Sequence, residues 1–148
     1  MKNECGQIHS PNYLTTCCIR HLLEMSKYAE MQTQTKKYSK LLLTTLNHAY
    51  KENTIAFKSM KLDLIKLLLE VLSKYISHFF INKRYDYSKL LALIAIKAIK
   101  ETAFKDNPEI IIRECSINNS ILYIYESKKK YNKAYKYISI NKKFYFKY

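Results

Sequence analysis

Tyr87-Ser88-Lys89-Leu90-Leu91-Ala92-Leu93-Ile94-Ala95-Ile96-Lys97-Ala98-Ile99-Lys100 decides the fold. From Leu90 to Ile96 no polar residue interrupts it, and the run is rich in residues that favour helix. A helix apolar on nearly every side is one surrounded by other helices. The stretch therefore predicts a central hydrophobic helix at about 88–104, capped by Asp86 or Ser88. Its most apolar part, Leu90 to Ile99, is ten residues with a Lys inside. About twenty are needed to span a bilayer, so no transmembrane span is expected.

Working outward, the flanking segments carry helical periodicity with one apolar face each. Asn82 to Asp86 breaks the chain before the central helix. Ahead of that break, Leu64, Leu68, Val71, Leu72, Tyr75 and Phe79 form one stripe, opposite Lys66, Glu70 and Lys74. Thr54 or Ser59 is expected to open this helix. Tyr38, Leu41, Leu42, Thr45, Leu46 and Ala49 mark an earlier helix that stops near Asn53. Leu14, Cys18, Leu22, Met25 and Ala29 mark the first, with Ser10 as cap and Pro11 at its first position. Beyond the central helix, Asn107-Pro108-Glu109 repeats the cap-plus-Pro start for a short helix ending near Ile117. Asn118-Asn119 reads as a turn.

The last segment is readable two ways. Ile121 to Tyr125, Tyr137 to Ile140 and Phe144 to Phe146 are β-type residues. Ile124, Tyr131, Tyr135 and Ile138 also share one helical face, which favours a helix over about 120–138 and a loose end after it. The expected fold is all-α, a single domain over 1–148 with five to seven helices around helix 88–104. A basic Lys/Tyr-rich segment at about 121–148 closes the chain.

The chain has 148 residues, room for one core, and is 48% hydrophobic with a mean hydropathy of −0.31. One Gly and two Pro exclude collagen-like, linker-rich and turn-rich β-sandwich classes. With one Gly there is no phosphate-cradling loop either, which argues against a nucleotide-dependent enzyme. The formal charge of +14 is uneven. Residues 1–34 carry three basic and three acidic side chains, 35–120 carry 15 and 8, and 121–148 carry eight Lys and Glu126 alone. Lys, Ile, Asn and Tyr make 64 of the 148 residues. All four have AT-rich codons, and a mutationally AT-driven genome would load the surface with Lys without selection for an anionic partner.

No catalytic motif is present, and no cofactor is expected. Cys17 and His21 stand at i, i+4, and Cys5 and His9 lie upstream. A structural zinc site calls for four ligands with closely spaced Cys pairs of the CxxC kind, and no metal site is assigned. Cys115 lies beside Arg113 and Glu114 without a nucleophile signature. Nothing at Met1 to Gly6 resembles a secretory signal, so the expectation is an intracellular, cytoplasmic protein with reduced thiols.

Amphipathic helices, then one almost wholly apolar helix, a short polar break and another short helix form an order that resembles the Bcl-2-like proteins of poxviruses. Residues 87–100 are similar to the central helix of that family, and the resemblance covers about residues 13–125. The chain has no Trp, and so lacks the Asn-Trp-Gly-Arg signature of the cellular members. The resemblance implies a non-enzymatic inhibitor of host apoptosis or innate immune signalling, acting in the host cytoplasm and binding a partner's helical segment in an apolar groove. The groove candidates it implies are Leu64, Leu68, Leu72, Tyr75 and Leu93, with Lys89 placed to meet a partner's Asp.

A second reading belongs to another class. Lys128, Lys129, Lys130, Tyr131, Lys133, Tyr135 and Lys136 interleave cations that neutralise phosphate with rings that stack on unpaired bases. This pattern suits a small basic protein that binds nucleic acid through its C-terminal segment. The sequence sets no oligomeric state.

Overall fold

Ser88, read from sequence as a helix cap, is instead a link between two helices. Its fully buried Oγ donates to the carbonyl of Ile76 at 2.8 Å. The computed structural model in which this is seen describes residues 11–31, 34–52 and 57–147, with side chains over 17–28, 34–52 and 57–143. The chain is an all-α bundle of six helices with no strand among the described residues: α1 (Pro11–Met31), α2 (Thr35–Lys51), α3 (Leu62–Ile81), α4 (Tyr85–Glu101), α5 (Pro108–Ser127) and α6 (Tyr131–Lys147). A single 3₁₀ turn, Phe57–Ser59, precedes α3.

α3 and α4 form the centre. α3 packs on α1, α4 and α5, and α4 packs on α2, α3, α5 and the 3₁₀ turn. The apolar stripe of α3 (Leu64, Leu68, Leu72, Tyr75, Phe79) meets Leu91, Ala92, Ile94, Ala95, Ala98 and Ile99 of α4 in one continuous core. Ala92, Ala95 and Ala98 let the helices approach closely. The Tyr75 hydroxyl donates to the Ser26 carbonyl at 3.3 Å, which ties α3 to α1 through the core. On the surface the same pair is joined by Arg20–Asp63 at 3.0 Å and Lys27–Glu70 at 3.3 Å.

Several boundaries differ from the sequence expectation, each for a local reason. α4 spans 85–101 and not 88–104. It ends because Thr102 turns extended (φ −63°, ψ 148°) and its Oγ1 accepts from the Phe104 amide at 3.3 Å. α3 opens at Leu62, after the 3₁₀ turn, and not at Thr54 or Ser59. Thr54 and Ser10 lie outside the described residues. Asn107-Pro108 does start α5, with the Asn107 side chain accepting from the Glu109 amide at 3.0 Å.

The expected turn at Asn118-Asn119 is absent, because α5 runs straight through it to Ser127. Ile110, Ile117, Ile121 and Ile124 carry one buried face across the two asparagines. The Asn119 side chain finds its partner on α6, accepting from Asn141 Nδ2 at 2.6 Å. That Nδ2 also donates to the Cys115 carbonyl at 3.1 Å. The C-terminal segment is helical, but the expected helix over 120–138 is broken at 128–130. α6 then folds back along α5 through Ala134, Tyr137 and Asn141, so helix continues to Lys147 where a loose end was expected.

Substitution Leu68→Ala, at a fully buried position, is expected to cost about 2–5 kcal/mol in urea unfolding. Leu93→Ala, on the open side of α4, is expected to cost less than about 1 kcal/mol.

Candidate functional site

The apolar run of the central helix predicts neighbours on nearly every side. α4 is open along one stripe. Leu91, Ala92, Ile94 and Ala95 are fully buried, whereas Leu93 is 39% exposed and Leu90 and Ile96 are half-buried. On the helix these three stand at i, i+3 and i+6, with Leu90 and Ile96 about 60° to either side of Leu93. Lys89 and Lys97 fall between them, about 40° to either side of Leu93. Lys97 Nζ sits over the Tyr50 ring of α2 at 4.7 Å, and Lys89 Nζ over the Tyr125 ring of α5 at 5.0 Å. The two lysines thus lean outward onto neighbouring helices and leave Leu93 open between them. Lys100, exposed, continues the stripe.

The six groove candidates therefore separate. Lys89 and Leu93 are on this open stripe, brought together one helical turn apart. Leu64, Leu68, Leu72 and Tyr75 are in the core, on a helix packed by α1, α4 and α5. Apolar periodicity alone cannot tell a groove wall from a core face, since both want the same side chains.

The second site lies at one end of the bundle, where two turns meet. At the end of α3, Lys83 adopts a left-handed backbone (φ 59°), with Lys83 N–H donating to the Phe80 carbonyl at 3.0 Å and Arg84 N–H to that of Phe79 at 2.8 Å. At the end of α5, Lys129 does the same (φ 57°), with Lys129 N–H donating to Glu126 at 2.9 Å and Lys130 N–H to Tyr125 at 2.8 Å. Both are Schellman closures, in which a Gly usually occupies the left-handed position. Here the residues are Asn82-Lys83-Arg84-Tyr85 and Lys128-Lys129-Lys130-Tyr131, each running straight into the next helix. The turns are joined by Lys128 Nζ to Asp86 Oδ1 at 2.9 Å. That hydrogen bond and the Lys128 charge hold the Asp86 carboxyl below its ordinary range. Any stabilisation from the pair is thus present at neutral pH and lost as acid protonates Asp86.

A shallow cleft of about 370 Å³ lies here, lined by Lys83, Arg84, Tyr85, Asp86, Tyr87 and Lys128. The Arg84 guanidinium rests on the Tyr87 ring at 4.4 Å. Of the Lys/Tyr candidates, Lys128, Lys129 and Lys130 form the turn and Lys133 leans on Tyr125 at 5.7 Å. Tyr131, Tyr135 and Lys136 are exposed on α6. Lys83 and Arg84 escaped the sequence reading because 45 residues separate them from Lys128. The signal was present as the repeated pattern of a polar residue, Lys, a second cation and Tyr.

Among the described residues no three His, Cys, Asp or Glu side chains are placed to share a metal ion. Cys17 is disulfide-bonded, against the expectation of reduced thiols throughout, while Cys18 and Cys115 are free. Cys5 and His9 lie outside the described residues. Burial, and then the Glu114 carboxylate, push the Cys115 thiol up, the direction opposite to an activated nucleophile. Among the described residues no helix is long and apolar enough to cross a membrane.

No protein family, curated protein or solved structure matches the chain. The helical bundle is consistent with a protein-interaction module in general.

A left-handed Lys is strained relative to Gly. Lys83→Gly and Lys129→Gly are each expected to raise stability by about 0.5–1 kcal/mol, read as a higher urea midpoint at unchanged m.

Proposed function

We propose that the protein is a non-enzymatic interaction module that docks a helical segment of a partner on the open stripe of α4. One observation carries this reading: the central helix α4 leaves Leu93 39% exposed, with Leu90 and Ile96 half-buried, on the side that also carries Lys89, Lys97 and Lys100. Leu90, Leu93 and Ile96 offer apolar anchorage, and Lys89, Lys97 and Lys100 surround it with positive charge. The complementary partner is an amphipathic helix with apolar residues at i, i+3/i+4 and i+7 and carboxylates beside them. The resemblance to poxviral Bcl-2-like proteins makes the finer form of the proposal an inhibitor of host apoptosis or innate immune signalling, acting in the host cytoplasm. Amphipathic helices ahead of the central α4 support that form, in which Lys89 would leave the Tyr125 ring to meet a partner's Asp.

The test is titration of the full chain with labelled death-motif helical peptides. Binding is expected, with Leu93→Glu weakening it at least tenfold and Lys89→Glu weakening it less, at unchanged melting temperature. Absence of binding to every such peptide overturns the apoptosis form. Binding that Leu93→Glu leaves intact overturns the docking stripe itself. Leu68→Glu is unsuitable as a probe, because it buries a charge in the core and unfolds the chain.

A further inference from the structure

The paired turns at the end of the bundle concentrate charge in a way that neither turn does alone. Lys83 and Arg84 come from one, Lys128, Lys129 and Lys130 from the other, and Lys133 from the first turn of α6. Against these six cations stand Asp86, already paired with Lys128, and Glu126. Like charges so grouped repel one another, so the arrangement costs stability at low salt. Two of the cations also occupy the left-handed positions where Gly is unstrained. The fold alone requires neither feature.

The aromatic groups beside this charge are arranged for contact. Tyr131 and Tyr135 are 61% and 69% exposed, one helical turn apart on the outer face of α6. Lys136 lies beside them. Tyr85 and Tyr87 line the cleft, and the guanidinium of the exposed Arg84 sits over the Tyr87 ring.

We propose that this end of the molecule binds single-stranded nucleic acid, its phosphates following both turns and its unpaired bases stacking on Tyr131 and Tyr135. The site is composite. It needs the α3–α4 turn as much as the C-terminal segment, and it is separate from the Leu93 stripe. Single strands fit better than an anionic bilayer for two reasons. Lys83, Arg84 and Lys128 line a cleft together with Tyr85 and Tyr87, and the outer face of α6 offers two phenols and Ile138 where a bilayer-seating helix needs a broad apolar face. Rings with exposed faces favour unpaired bases over a closed duplex.

The experiment is fluorescence anisotropy of the full-length chain with a labelled 20-mer of mixed-sequence single-stranded DNA, and its RNA equivalent, between 50 and 200 mM salt. Neutralising about five phosphates predicts a log–log slope of about −3.5, about a hundredfold loss over that range. The double variants Lys83→Glu/Arg84→Glu and Lys129→Glu/Lys130→Glu are each expected to weaken binding at least tenfold. Tyr131→Ala/Tyr135→Ala is expected to weaken it about tenfold with the salt slope unchanged, and Asp86→Asn to tighten it. Circular dichroism and melting temperature confirm that each variant is folded, and Leu93→Glu serves as a control with unchanged binding. Absence of binding at 50 mM salt overturns the proposal. So does binding that ignores Lys83→Glu/Arg84→Glu, since the site would then be the tail alone. Binding to vesicles with phosphatidylserine in place of the oligonucleotides overturns it in favour of a membrane contact.

Discussion

The packing of α4 against α3 is the constraint on which the rest of the bundle depends. Three alanines on α4 allow close approach, and Ser88 fixes the register by donating to the Ile76 carbonyl. That bond is fully buried, so a slip of α4 along α3 would leave the hydroxyl without its acceptor in an apolar medium. The left-handed Lys83 reverses the chain within three residues, which makes α3 and α4 antiparallel neighbours. With these two helices fixed, α1 covers the far side of α3, α2 and α5 take the flanks of α4, and α6 lies along α5.

Much of this architecture was readable in the sequence, because apolar spacing reports which face of each helix is covered. The stripe from Leu64 to Phe79 and the cap at Asn107-Pro108 were of this kind. The failures share one cause: local propensity was read without the tertiary partner that offsets it. Asn118-Asn119 has strong turn propensity, yet the isoleucines around it have a face to bury, and Asn141 supplies Asn119 with a hydrogen bond. Ser88 has cap propensity, yet its hydroxyl is satisfied across the helix pair. At 128–130 the opposite happened. Three lysines continue a helical pattern well enough, and the break there comes from the gain of laying α6 back on α5.

The candidate surfaces were less readable than the core. Leu64, Leu68, Leu72 and Tyr75 match the composition of a groove wall and of a core face equally, and only the positions of α1, α4 and α5 decide between them. Leu93 is the informative residue because it breaks the rule that its neighbours obey. The two basic turns show the complementary difficulty. Their resemblance to each other is written in the sequence, but their adjacency exists only after α3, α4, α5 and α6 have packed.

The formal charge of +14 acquires a structure from this packing. A chain from an AT-rich genome accumulates lysines wherever the surface tolerates them, and such lysines should be spread at random and sit where backbone strain is absent. Lys83 and Lys129 do neither. They occupy equivalent left-handed positions in two turns that the fold brings together, where Gly is the residue that stability alone favours. Codon bias raises the supply of Lys but gives no reason for the same strained position to be filled in both turns. Part of the charge therefore belongs to the architecture, at the end of the bundle where α4 and α6 begin.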